Sequence, residues 1–409
     1  MSAIPAGDWR IWTPALALAA AAFRLGIDRG RQGWGVALLP LAVILPLAVA
    51  IARPLGLEPV HALLAAGLVI AILARDRNDL LQSECALKLA WVLGGSIALS
   101  WAGGELLAAV TGTRANVEQW AVLAVPVALA DLWRVALPLS LLAGLVMLGG
   151  APFHFWPADL FQGGRAWAAP LAAAALQITG AAWLARRLEG IEALPEARAV
   201  STGVLVVAAG VALLVGAATL MQQRRPERRI GTLASLHGAL ALVMLIAHGA
   251  PGAAGSGDPG AAWFERWAAH LAIALTGAGL FSRFLPVATS EFEGQRGHGV
   301  LIHRHPFSTL AGLVACFSLA GVPGTPGSTL WFDAARALAA TRHSGLLFLL
   351  GLAWLTAFST MMQQWREAAG IPEPKAPRGS AVPLPARAAL WIAAAGVASL
   401  AVAWALEPR

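Results

Sequence analysis

Apolar runs of membrane-crossing length recur from Trp12 to Leu406, and short connections between them hold most of the charge. A helix needs about 20 predominantly apolar residues to cross the hydrocarbon core, and only closed hydrogen bonding survives there, so the runs predict helices. Four spans are expected at 11–26, 35–52, 58–74 and 86–110. A polar stretch, Thr111 to Gln119, follows, and then an apolar segment at 120–133 expected to lie along the surface. Further spans are predicted at 135–151, 166–185, 200–221, 230–249, 264–285, 307–322 with a continuation to 341, 345–364 and 387–406. The expectation is an all-α polytopic membrane protein of about twelve transmembrane helices. One membrane domain would cover 1–409, with N-terminal helices over 11–110, a core over 120–341 and C-terminal helices over 345–409.

One span is expected to be discontinuous. SLAGVPGTPGSTLWF, Ser318 to Phe332, sets Gly321, Pro323, Gly324, Pro326 and Gly327 inside an apolar run. Proline removes a backbone donor and clashes with the preceding turn. Broken backbone at membrane depth persists only where protein or a water-lined cavity satisfies it, as in the ion sites of many transporters. An ordinary loop between two short helices is the plainer reading.

Composition agrees with the pattern: 58% of the residues are hydrophobic, 12% are charged, and the mean hydropathy is +0.68. The net charge of +7 lies in the connections, so it sets topology, and no nucleic-acid partner is expected. Basic groups after the first span (Arg24, Arg29, Arg31), around the third connection (Arg75, Arg77, Lys88), in QQRRPERR, and at Arg296, Arg304, Lys375 and Arg378 would share the cytoplasmic side. Both termini then face the periplasm across a bacterial cytoplasmic membrane. Ala15 to Ala22 imitates a signal peptide, but Asp8 and Arg10 precede it, so it is read as a first membrane helix. Cys85 and Cys316 are far apart and form no CxxC pair, so no metal site, cluster or disulfide framework is expected. Seventeen Trp and no Tyr leave Trp to serve the interfacial belts.

The most informative stretch is GGAPFHFWPADLFQGGRAWAAP, from Gly149. Its Pro152, Phe153, His154, Trp156, Asp159, Leu160, Phe161, Gln162 and Gly163 resemble the PFHxW-x-PD signature of the antiporter-like membrane subunits of respiratory complex I, specifically the N-type; Pro157 is shifted by one. Three further stretches are similar in order and spacing. They are ECALKLAWVLGGSIAL from Glu84, the segment from Gln222 with Gln223, Arg228, Gly231, His237 and Gly238, and SLAGVPGTPG. The resemblance covers about 84–340 and implies an antiporter-like fold, with the family's first two helices missing and the span at 58–74 equivalent to its fifth. It places a buried proton relay of one glutamate and three lysines at Leu63, Met147, Gln177 and Trp331. The chain has only two lysines, Lys88 and Lys375, both in or beside loops, so that relay cannot work here in the family's manner.

Candidates for a residual proton path are His61, near the lost glutamate position, Gln177, His237, and the Asp333–Arg336 pair three residues apart. For each the plainer role is structural: a satisfied histidine, a helix tie, an ion pair. His154 and Asp159 are expected to hold loop shape, His270 to be a helix contact, Asp131–Arg134 a solvated pair, and Arg224 to Arg229 a topology signal that also meets anionic lipid. The chain is expected to carry no catalytic centre, metal or cofactor of its own. The resemblance implies membrane subunits of a complex I-like NADH:quinone oxidoreductase as partners, beside lipids, with quinone, FMN and iron–sulfur clusters in those partners. Its family role is proton translocation coupled to quinone reduction; without the lysines this subunit is structural or weakly conducting. The alternative is a subunit of a cation/proton antiporter or inorganic-carbon uptake complex.

Overall fold

The computed structural model describes residues 67, 80–123, 130–150, 152–164, 168–248, 259–282, 284–285, 300–369 and 384–405. The spans expected at 11–26 and 35–52, and that at 58–74 apart from residue 67, lie outside these residues, as do His61 and Leu63. The described chain forms thirteen α-helices: α1 Leu80–Thr111, α2 Asn116–Leu123, α3 Trp133–Met147, α4 Phe155–Gly163, α5 Ala168–Arg187, α6 Pro195–Gln222, α7 Pro226–His248, α8 Pro259–Ser282, α9 Val300–Arg304, α10 Pro306–Leu319, α11 Pro326–Ala340, α12 Ser344–Ala369 and α13 Leu384–Ala405. No strand occurs among the described residues, so the all-α expectation holds.

Four helices, α1, α6, α7 and α12, are long and apolar enough to cross a membrane, which makes the chain multi-pass. That measure covers only the described residues, and three of the expected spans lie outside them; within them Pro138 sits inside α3, and prolines at 306 and 326 start α10 and α11. Of the apolar segment expected at 120–133, the described residues hold the end of the eight-residue α2 and a 3₁₀ turn at Ala130–Leu132.

The centre of the bundle is α7. Its apolar window is 89% buried, against 39%, 44% and 39% for the other three long helices. Ile230 through Leu245 bury every face, as a helix that is apolar all round must. It packs on α4, α5, α6, α8, α10, α11 and α12. Small residues set the close crossings: Gly144 of α3 meets Gly180 of α5, and a Cβ on Gly238 of α7 would strike the Leu148 carbonyl oxygen. Ser100 of α1 donates to the Leu139 carbonyl and accepts from the Ala143 amide, so its hydroxyl bridges partners one turn apart beside Pro138 of α3.

The expected break is present. α10 ends at Leu319 and α11 begins at Pro326, with Gly321 at φ +69 and Gly324 at φ +87 turning the chain between them. A left-handed backbone at both positions is what glycine permits at least cost.

Candidate functional site

Two groups of polar side chains meet α7, one at its N-terminal end and one at its middle. The first is charged. Gly149, at φ +73, closes α3, and the Gly150 amide donates back to Leu145 at 2.9 Å, which turns the chain into α4. Trp156 is buried and donates to the Val146 carbonyl at 2.7 Å, and the His154 carbonyl accepts from Ser235 at 3.0 Å. A Cβ on Gly163 would press on the Leu81 carbonyl oxygen, so α4 lies tight against α1; Pro152 is exposed. Arg228 gathers the motif's polar groups: its Nη1 donates to Asp159 at 2.9 Å and Gln162 at 2.6 Å, and its Nε to Gln223 at 3.2 Å. Lys88 stands 3.8 Å from Asp159. Beside this cluster Arg229, 2% exposed, grips Glu367 of α12 through both carboxylate oxygens at 2.8 and 3.0 Å. His154 sits in this region half-buried, and burial holds its imidazole below the ordinary range against an opposing contact with the Pro152 backbone.

The second group is neutral and fully buried. Gln177 of α5 donates to the Leu148 carbonyl at 3.1 Å and the Ala234 carbonyl at 2.7 Å. His237 of α7 bonds through Nε2 to the Leu319 carbonyl at 2.8 Å, one of the acceptors the helix break sets free. A carbonyl only accepts, so that nitrogen carries a proton. The His270 ring, from α8, is centred 5.4 Å away, and its Nε2 lies 2.8 Å from the Ser318 hydroxyl oxygen. Ser318 also accepts from the Gly327 amide at 3.2 Å, so it pins the start of α11. Trp331 meets His237 edge-on at 6.3 Å. Four buried polar atoms here have no partner: Gln177 Oε1, His237 Nδ1, His270 Nδ1 and Trp331 Nε1.

The candidate residues therefore separate. Gln177, Met147 and Trp331, at the positions where the resemblance expects lysines, are all buried, and Met147 packs against Gly180. Asp333 and Arg336 lie 3.5 Å apart, with Arg266 of α8 3.7 Å from Asp333, but the Arg336 side chain is 77% exposed. Asp131–Arg134 is a surface pair at 3.3 Å. His270, Ser318 and Glu367 belong to these groups as much as any predicted residue. Only contacts across 48 to 138 positions of sequence reveal them. No group of three His, Cys, Asp or Glu that could hold a metal ion occurs among the described residues.

No family model matches the chain. Curated relatives are NADH-quinone oxidoreductase N subunits. That of Paraburkholderia phymatum is 28% identical over 51% of this chain and 42% of its own length. That of Halorhodospira halophila is 28% identical over 63% and 51%, and that of Desulfovibrio desulfuricans 27% identical over 71% and 57%. The chain thus spans about half the length of the curated relatives it matches. Among solved structures, a chain of respiratory complex I from Thermus thermophilus superposes with a TM-score of 0.70 at 22% identity, covering 96% of this chain and 84% of that one. A chain of the membrane-bound sulfane sulfur reductase, an archaeal respiratory membrane complex, gives 0.76 at 17% over 95% and 78%. One of the Mrp complex from Dietzia gives 0.75 at 15% over 97% and 80%.

Proposed function

We propose, for a chain that has the antiporter-like membrane fold and is related in sequence to N-type subunits of NADH-quinone oxidoreductases, a role in the membrane arm of a complex I-like assembly. Such an assembly passes electrons to quinone and moves protons. Its FMN, clusters and quinone would reside in partner subunits, and this chain would sit in a bacterial cytoplasmic membrane with both termini on the periplasmic side. The observation that carries this reading is the sequence relation to N-type subunits, since the fold is equally close to a chain of an Mrp complex.

The chain's own part is architectural. It keeps the charged cluster that clamps α4, α7 and α12, while the middle of the bundle offers Met147, Gln177 and Trp331 where the resemblance expects amines. Methionine and tryptophan take up no proton, and a carboxamide does not titrate in this range. A second reading, residual proton passage through the neutral centre, is favoured by the unpartnered ring nitrogens of His237 and His270 and by Gln177 Oε1.

Mild-detergent purification through a tag on this chain, followed by mass spectrometry, tests the placement. Stoichiometric recovery of quinone-site and iron–sulfur subunits is expected. Recovery of the chain alone, or only with membrane-embedded antiporter subunits, would replace the reading with an independent transporter or an inorganic-carbon uptake complex.

A further inference from the structure

At the end of the bundle that holds Arg228 and Arg229, one side chain has no explanation as packing. Gln364 of α12 is 0% exposed, and neither its Oε1 nor its Nε2 has a partner. A carboxamide carries two donors and two acceptor lone pairs, and leaving all of them dry is among the costlier states a buried group can adopt. The residues around it are polar in a line. Thr356, Thr360 and Gln364 recur every fourth position, which puts them on one face of α12, and all three are buried, at 7%, 5% and 0% exposure. The two hydroxyls donate to carbonyls of their own helix, Ala353 for Thr356 and Thr356 for Thr360, so neither serves Gln364 as a donor, while a hydroxyl oxygen that donates still has acceptor capacity. One turn further on, Glu367 at 17% exposure holds the buried Arg229 and ends the line near solvent.

We propose that Gln364 lines an internal water site, which continues outward past the Arg229–Glu367 pair to the nearer surface and inward along Thr360 and Thr356. Buried water is recruited where two to four polar atoms lack other partners, and the carboxamide supplies them at one point. A glutamine chosen for packing would be replaceable by Met or Leu without loss; a glutamine chosen for water would not. The site goes beyond the functional reading above. Its hydration stands whether the chain conducts protons or serves only as architecture, so its failure would leave that reading in place.

The test is hydroxyl-radical footprinting of the purified assembly by synchrotron radiolysis, read by mass spectrometry. Radicals form from bound water where it sits and oxidise the nearest sulfur. Met361, one turn from Gln364 and 0% exposed, is the reporter; Met221, 71% exposed in the last turn of α6 beside the basic connection, and Met244, 2% exposed, are the accessible and buried references. The expected result is that Met361 oxidises nearer the rate of Met221 than of Met244. Gln364→Leu and Gln364→Val should each drop Met361 toward Met244 and leave Met221 unchanged. Two variants are used so that a failure of one to assemble does not decide the matter. Oxidation of Met361 at the Met244 rate in the unaltered protein would overturn the proposal, as would a Met361 rate unmoved by either substitution.

Discussion

The two polar groups on α7 differ in kind, although only two turns of helix separate them. At Arg228 and Arg229 the chain keeps full charges and pairs them with Asp159 and Glu367. At His237 it keeps only neutral groups, tied to backbone carbonyls, with several atoms left unpartnered. Charge near the surface is cheap, because water screens it and long side chains reach out. Charge at mid-membrane is costly and persists where a function uses it. Charged clamps at one end and a centre without amines are what the proposed architectural role calls for.

The largest effect should come from breaking the charged region. Arg229→Met leaves the part-buried Glu367 without its partner, and about 3 kcal/mol is expected, the low end for breaking a buried pair because Glu367 keeps some exposure. The double variant Arg229→Met, Glu367→Leu should regain most of that. Thermal unfolding of the assembly in detergent checks both, and equal losses in single and double variants would make the pair's charge irrelevant. Gly327→Ala attacks the neutral region at the helix break. A Cβ there strikes the Ser318 carbonyl oxygen, which is backbone and cannot step aside, so a loss of about 3 kcal/mol is expected from overpacking. Normal yield and melting temperature would show that the break yields easily.

Gln177→Leu sharpens the comparison further. It removes two donated hydrogen bonds and should cost only about 1 kcal/mol, since membrane hydrogen bonds average less than one apiece. A much larger loss would mean that the neutral centre is as structural as the charged end. The smallest expected effect is a pH dependence at His154. Its imidazole lies below the ordinary range in the folded protein, so folding favours the neutral form. The associated stability is complete above the unfolded value, near 6.5, and is lost as pH falls from there toward the folded value. The melting temperature should fall slightly more between neutral and mildly acidic buffer for the unaltered protein than for His154→Gln.

What could be read along the chain was local. The broken helix was legible because Pro323, Pro326 and the glycines around them break helices by their own chemistry. α1 begins at Leu80, six residues before the expected 86, because Gln82, Ser83 and Glu84 interrupt the apolar run without stopping the helix. The polar groups were legible only in part. His237, Gln177 and the PFH motif stood out as polar islands in apolar surroundings. Their partners did not. Leu319 contributes a carbonyl that only the break frees, and Glu367 lies 138 positions from Arg229. His270 looked like a helix contact, and it is one, through Ser318. That it also faces His237 follows from how α7 and α8 cross, which periodicity does not encode.

On the proposed role, this subunit supports the membrane arm without itself passing protons. The most direct test of that role is the double variant His237→Leu, His270→Leu, measured as protons moved per electron delivered to quinone in reconstituted vesicles of the intact assembly. The account predicts the same ratio as for the unaltered complex, even where yield falls. A ratio reduced by one subunit's share in the assembled variant would contradict it and make the histidine pair a working proton path.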